Sequence, residues 1–251
     1  MKNLFHVKKK LMFFRGSPCE SGLTYAPLSA HDELGKIQFK ENNMSSLEIE
    51  VTFFLTDIDA ARDQIKSLNP QRLGSTNETN IRYETQDCGL LQKKALLRLR
   101  RADRITLTYK SEPPEPSDEY KIQREYEVAV DDFEAMQNIL VSLGFHPEQV
   151  YEKNRESYQL GDVVLCLDTM PYGDFLEIEG PGPEIRPLAA RLGLEWQKRI
   201  LTNYLEMFEQ IKSELGLAFS DVTFENFQKV KANPAELIPR FEAGADASSD
   251  S

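Results

Sequence analysis

At 251 residues and 40% apolar content, the chain is long enough for one sizeable domain plus peripheral pieces. Its 41 Asp and Glu against 30 Lys and Arg give a net charge of −11, which argues against binding a nucleic-acid duplex, where a basic face is needed. It has no apolar run near the ~20 residues of a membrane span and no G-x-x-x-x-G-K-[ST] phosphate loop.

The first 43 residues differ from the rest. MKNLFHVKKKLMFFRG carries a basic run and a four-residue apolar block, Leu11 to Phe14. A secretory signal needs an apolar stretch of roughly 7–15 residues. Seven Lys/Arg against four Asp/Glu make this arm slightly basic within an acidic protein, and it has neither helical nor strand periodicity. Residues 1–43 are therefore expected to be a disordered extension, or the product of an over-extended start ahead of Met44. Alternation of apolar and polar residues then predicts strands at 47–55, 79–86, 94–102, 104–110, 120–130, 150–158, 163–169 and 174–180, with 79–86 the weakest. A helix is expected over 57–68, capped by Thr56, with Ile58, Ala61, Ile65 and Leu68 at helical spacing. A second is expected over 131–143, opened by Asp131 and Asp132, with Phe133, Met136, Leu140 and Leu143 on one side, and stopped by Gly144. Further helices are expected over 184–192 and 195–215. Residues 218–251 read as a largely disordered tail ending in the small, acidic AGADASSDS. The domain proper is thus 44–217. Eight antiparallel strands are enough to close a barrel, which removes exposed edges.

Cys19, Cys88 and Cys166 include no Cys-x-x-Cys, which fits free thiols in a reducing cytoplasm. His6, His31 and His146 are scattered and give a zinc site or a Ser-His-Asp triad little support. Tyr126, Phe175 and Trp196 read as core.

The chemistry lies in five charged pairs at i, i+2 spacing: Glu48/Glu50, Arg98/Arg100, Glu125/Glu127, Lys153/Arg155 and Glu177/Glu179. In a strand each pair points to one face, where like charges repel unless an ion lies between them. Carboxylate pairs suit a hard divalent cation, and Arg/Lys pairs suit phosphate oxygens. A single such pair is usually a solvated sheet face. Five are harder to dismiss, because the opposite faces of the same strands are apolar, among them Leu47, Ile49, Val51, Phe53, Leu97, Leu99, Tyr126, Val128, Leu176 and Ile178. Pattern alone leaves open whether the charged faces meet water or a shared cavity.

Glu48-Ile-Glu50, Arg98-Leu-Arg100, Thr108-Tyr-Lys110, Arg124-Glu125-Tyr-Glu127, Lys153-Asn-Arg155 and Asp168 followed by Gly173-Asp-Phe-Leu-Glu177-Ile-Glu179 occur in an order that resembles the CYTH superfamily, the triphosphate tunnel metalloenzymes. The likeness spans roughly residues 46–213 and is closest to the branch holding bacterial class IV adenylate cyclases and triphosphatases. It implies an α+β fold: an eight-stranded antiparallel β-barrel, or tunnel, with a charged lumen and peripheral helices. One departure stands out, since Thr52 occupies the position of the lysine in the family's Glu-x-Glu-x-Lys.

The resemblance implies that Mg²⁺ or Mn²⁺ is held by Glu48, Glu50, Glu177 and Glu179, with Glu127 and Asp168 as further candidates. It implies triphosphate binding by Arg98, Arg100, Lys110, Lys153 and Arg155, with Lys121 as a sixth, and catalytic roles for Glu125 and Lys110. The expected substrate is inorganic triphosphate, ATP or another nucleoside triphosphate, hydrolysed by a cytoplasmic monomer or homodimer that binds neither membrane nor nucleic-acid duplex. The alternatives are an adenylate cyclase and a non-catalytic polyphosphate-binding module.

Overall fold

The computed structural model describes residues 46–113 and 115–244. The expectations for the N-terminal arm, Cys19, His6, His31 and the last seven residues lie outside that range. Nine strands form one sheet: β1 (Ser46–Leu55), β2 (Gln71–Thr85), β3 (Leu96–Arg101), β4 (Ile105–Ser111), β5 (Lys121–Val130), β6 (Phe145–Leu160), β7 (Val163–Met170), β8 (Gly173–Glu179) and the two-residue β9 (Arg199–Ile200). Their order is β5-β4-β3-β2-β6-β7-β8-β1-β9, and β1 also pairs with β5, so the first eight close into a ring. Every ladder in the sheet is antiparallel. The closing seam is short, running from Ser46 opposite Glu125 to Glu50 opposite Lys121. Along its other edge β1 pairs with β8 from Glu50 to Leu55.

The helices are α1 (Ile58–Ser67), α2 (Gly89–Gln92), α3 (Phe133–Ser142), α4 (Gly182–Arg191), α5 (Tyr204–Leu215) and α6 (Phe224–Phe227). Asp57, not Thr56, caps α1, its Oδ1 accepting the Ala60 N–H at 2.9 Å. Asp132 caps α3 in the same way, and Gly144 follows it at φ 94°, in the left-handed region that favours glycine. The helix expected over 195–215 is broken: a 3₁₀ turn at Trp196–Lys198 leads into β9, and α5 starts afresh behind Asn203, whose Oδ1 accepts from the N–H of Leu205 and Glu206.

Three apolar clusters pack outside the ring. One joins Val51, Phe53 and Ile178 to α1 and α4; a second joins Phe175 to Met207, Phe208 and Ile211 of α5; a third joins Leu97 and Leu99 to Phe133 and Leu140 of α3. The outward faces of β1, β3 and β8 are covered as their alternation requires. Tyr126 of β5 is exposed, so its reading as core does not hold; Val128, Leu47 and Leu143 are exposed too, leaving those parts of their apolar faces uncovered. The C-terminal segment also departs from expectation. Through residue 244 it packs on the second cluster, with Val222, Phe227 and Ile238 buried, and Val222 forms a bridge to Tyr151 of β6.

Candidate functional site

Alternation along the closed ring sends one set of side chains inward, around a cavity of about 1070 Å³. Glu48 and Glu50 of β1, Arg98 and Arg100 of β3, Lys110 of β4, Lys121, Glu125 and Glu127 of β5, Lys153 and Arg155 of β6, and Glu177 and Glu179 of β8 all line it. Five separate pairs thus meet in one space. Asp168 does not line it, and neither does Thr52, which is buried opposite Glu177 and Ile200 where β9 and β8 flank β1.

The acidic corner is built by register. Glu50 stands directly across from Glu179, a pairing of like charges that costs free energy without a cation. Glu48, Glu50 and Glu179 each offer a carboxylate oxygen, and these lie within 4.8 Å of one another. Lys110 donates to Glu48 and Lys121 to Glu50. Burial, reinforced by Glu48, Glu50 and Glu177, pushes the Glu179 carboxyl up to about 7. A hard-oxygen donor set with this unmet repulsion fits Mg²⁺ or Mn²⁺.

The basic wall is anchored from behind. Asp168, fully buried, accepts from Arg155 Nε at 2.6 Å and Nη2 at 2.5 Å, from Lys153 Nζ at 3.0 Å and from the Tyr204 hydroxyl at 3.2 Å. Its carboxylate is thus taken up by cations, a placement that differs from the expected metal ligand. Glu177 likewise accepts from Arg155; burial opposes its ionisation, but Arg155, Lys153, Lys121 and Lys110 hold it well below the usual range. Glu127 accepts from Thr108 at 2.8 Å and from Thr106 and Arg104 at 3.3 Å, with Arg98 at 3.7 Å. Glu127 and Glu177 therefore stand in ion pairs outside the three-glutamate cluster.

β2 contributes a row that the expected strand 79–86 only partly covered. Glu78, Asn80 and Arg82 alternate on one face, with Asn80 opposite Arg100 and Arg82 opposite Arg98. Glu78 lies 3.3 Å from Arg100 and 3.9 Å from Lys153; burial works against its charge, yet Lys153, Arg155, Arg100 and Arg98 hold it at about 2. Arg100 Nε donates to Asn80 Oδ1 at 3.1 Å. Arg98 donates to Thr108 at 3.1 Å and to the Tyr151 hydroxyl at 3.3 Å. Three buried donors, Arg98 Nε, Arg82 Nε and Asn80 Nδ2, have no hydrogen-bond partner among the described residues. Opposed arginines beside unspent N–H groups are a demand for an anion. The i, i+2, i+4 spacing of Glu78, Asn80 and Arg82 was the available signal.

The CYTH domain matches residues 46–191. A Methanocaldococcus jannaschii protein named as a candidate adenylate cyclase is 28% identical over 135 residues, covering 53% of this chain and 76% of that one. Among solved structures, the PH1012 protein of Pyrococcus horikoshii is 28% identical at a TM-score of 0.55, covering 63% of this chain and 98% of its own. A candidate adenylate cyclase from Vibrio parahaemolyticus (20%, TM-score 0.58, 65% and 98%) shares the fold. So does a Hippeastrum protein (19%, TM-score 0.51, 65% and 95%), a candidate adenylyl cyclase described as having a dominant triphosphatase activity.

Proposed function

Because this chain belongs to the CYTH domain family of triphosphatases and adenylate cyclases, we propose that it is a divalent-metal-dependent enzyme hydrolysing inorganic triphosphate or a nucleoside triphosphate. The observation that carries this reading is the meeting, in one cavity, of a three-carboxylate cluster with the opposed Arg82 and Arg98, whose Nε–H groups lack partners among the described residues. A triphosphate carries about four negative charges, and burying it requires dense neutralisation. Arg98, Arg100, Lys110, Lys121, Lys153 and Arg155 supply six cations along the cavity wall.

Glu48, Glu50 and Glu179 would hold Mg²⁺ or Mn²⁺, which would supply positive charge to offset the negative charge developing in transfer. We assign Lys110 contact with the phosphate next to that cluster. Glu125 lies 3.1 Å from Lys110 and 3.9 Å from Arg98, and we assign it the orientation of the attacking water. Asp168 acts from behind by holding Arg155 and Lys153 in place. Hydrolysis is favoured because it asks only for a bound chain and a positioned water. The second reading, cyclisation of ATP, draws on the name of the archaeal relative. A non-catalytic polyphosphate-binding module is the third. The proposed location is the cytoplasm, consistent with an exposed free Cys88; no helix among the described residues is long and apolar enough to cross a membrane.

The test is incubation of pure protein with tripolyphosphate or ATP plus Mg²⁺ or Mn²⁺, with products resolved by chromatography. Orthophosphate is expected, with turnover abolished by chelator and reduced at least ~100-fold in Glu50→Gln, in line with losing a group that stabilises developing charge. Cyclic AMP with pyrophosphate would replace this reading with the second, and tight binding without turnover would replace it with the third.

A further inference from the structure

Among the described residues, nine lysines and arginines line the cavity. Eight of them donate a hydrogen bond to another side chain. The ninth, Arg82 of β2, donates none among the described residues. Its side chain is 20% exposed, and its Nε is buried without a partner. The nearest carboxylates, Glu84 at 4.0 Å and Glu148 at 3.8 Å, lie beyond hydrogen-bond reach. Both are engaged elsewhere. Glu84 accepts the backbone N–H groups of Thr85, Leu90 and Leu91 at 2.8, 2.9 and 2.9 Å. Glu148 sits 2.9 Å from Nε2 of His146.

The ring also fixes which wall Arg82 comes from. Strand order puts β2 four strands from β1 in either direction, so Arg82 enters the cavity from the side opposite Glu48 and Glu50. An eight-stranded ring is about 16 Å across between backbones, room for one small ligand. A ligand that touches both the three-glutamate corner and Arg82 therefore crosses the whole cavity. Directly across the β2–β3 ladder stands Arg98, whose own Nε–H is buried without a partner. Two guanidinium groups side by side repel each other unless an anion lies between them. Arg82 is, moreover, outside the charged pairs that carry the family resemblance.

We propose that Arg82 sets the length of phosphate chain this protein accepts, by binding the phosphate farthest from the three-glutamate corner. The assignment rests on the triphosphate reading above and deepens it to chain length. A triphosphate reaches Arg82 while its other end stays at that corner. A diphosphate held at the corner leaves Arg82 unengaged.

Calorimetric titration in the presence of Mg²⁺ decides it. The probes are diimidotriphosphate and imidodiphosphate, hydrolysis-resistant stand-ins for tripolyphosphate and pyrophosphate. The unaltered protein is expected to bind the longer probe at least about tenfold more tightly than the shorter, the gain of one charge-assisted contact. Arg82→Gln is expected to bind the longer probe roughly ten- to a hundredfold more weakly and the shorter one within about twofold of the parent; the second result also shows that the variant is folded. Glu148→Gln, which removes the loose acidic neighbour, is expected to bind the longer probe at least as tightly as the parent. Equal affinity of the unaltered protein for the two probes, equal losses or no loss in Arg82→Gln, or weakened binding in Glu148→Gln would overturn the assignment while leaving a triphosphate site intact. Failure of the unaltered protein to bind the longer probe would overturn the triphosphate reading and this assignment with it.

Discussion

Glu179 ties the acidic corner to pH. Its folded-state value of about 7 lies above the usual 4.5 of a glutamate. Between these values the unfolded chain releases this proton while the folded one keeps it, so stability from this group falls as pH rises from 4.5 to 7. Metal-free Glu179→Gln is therefore expected to match the parent at pH 4.5 and to exceed it by on the order of 1–3 kcal/mol at pH 8. Urea unfolding at the two values checks this, and Mg²⁺ should narrow the gap at pH 8 by stabilising the parent. Glu78 has the opposite sign: held at about 2, it contributes stability above 4.5 that is lost as pH falls through 2. Asp168 gives a separate test of its role. Asp168→Asn leaves Arg155 and Lys153 buried without their shared partner, a loss of about 3–5 kcal/mol that calorimetry should show as a Tm drop near 10 °C without metal. A metal ligand would instead leave the metal-free protein as stable or more so. At this scale the charged pairs were legible in the sequence because i, i+2 spacing survives any strand geometry. The burial of Thr52 was not, because it depends on β9, two residues placed by a break in an expected helix.

At the scale of elements, strand positions were legible where one face was apolar. β2 and β6 were recognised only in part. Residues 71–78 read QRLGSTNE, with polar side chains on both faces, and 145–149 contain Pro147, yet the two strands form one long ribbon with irregular register near Gly74 and Tyr83. A strand polar on both faces resembles a loop, and the row from Glu78 to Arg82 is polar because Glu78 and Asn80 hold Arg100 and Lys153 of the cavity wall and Arg82 lines the cavity itself. The segment after α5 misled for a related reason. Its anchors, Val222, Phe227 and Ile238, are too sparse for periodicity, although each is buried. Removing residues 218–251 is expected to destabilise the protein by about 5 kcal/mol, roughly 1.5–3 kcal/mol for each anchor less what the cluster recovers by relaxing. A fall in Tm of 10 °C or more would bear this out, and an unchanged Tm would contradict it. The same truncation frees Tyr151, whose hydroxyl accepts from Arg98, so triphosphate affinity should fall as well.

For the molecule as a whole, the ring explains why five repulsive pairs coexist: each borrows counter-charge from strands distant in sequence, as Arg155 does from Glu177 and Lys110 from Glu48. Closure by β1 has a further consequence, in time. The hairpins β3–β4–β5 and β6–β7–β8 join neighbours in the chain, but β1 pairs with β5 and with β8, up to Glu179. On the ribosome β1 meets β5 first and waits for more than a hundred residues, roughly ten seconds of synthesis, before β8 exists. Such non-local pairing makes refolding slow, on the scale of milliseconds to seconds. It also makes the β1 seam the last part to form. Val51→Ala, in the fully buried middle of β1, is expected to speed unfolding severalfold while leaving the refolding rate nearly unchanged in stopped-flow measurements. A large slowing of refolding would place β1 in the nucleus instead. Until β8 emerges, the edge of β1 from Glu50 to Leu55 has no strand to pair with and its apolar face is open, and the nascent chain is then most open to pairing with the wrong strand.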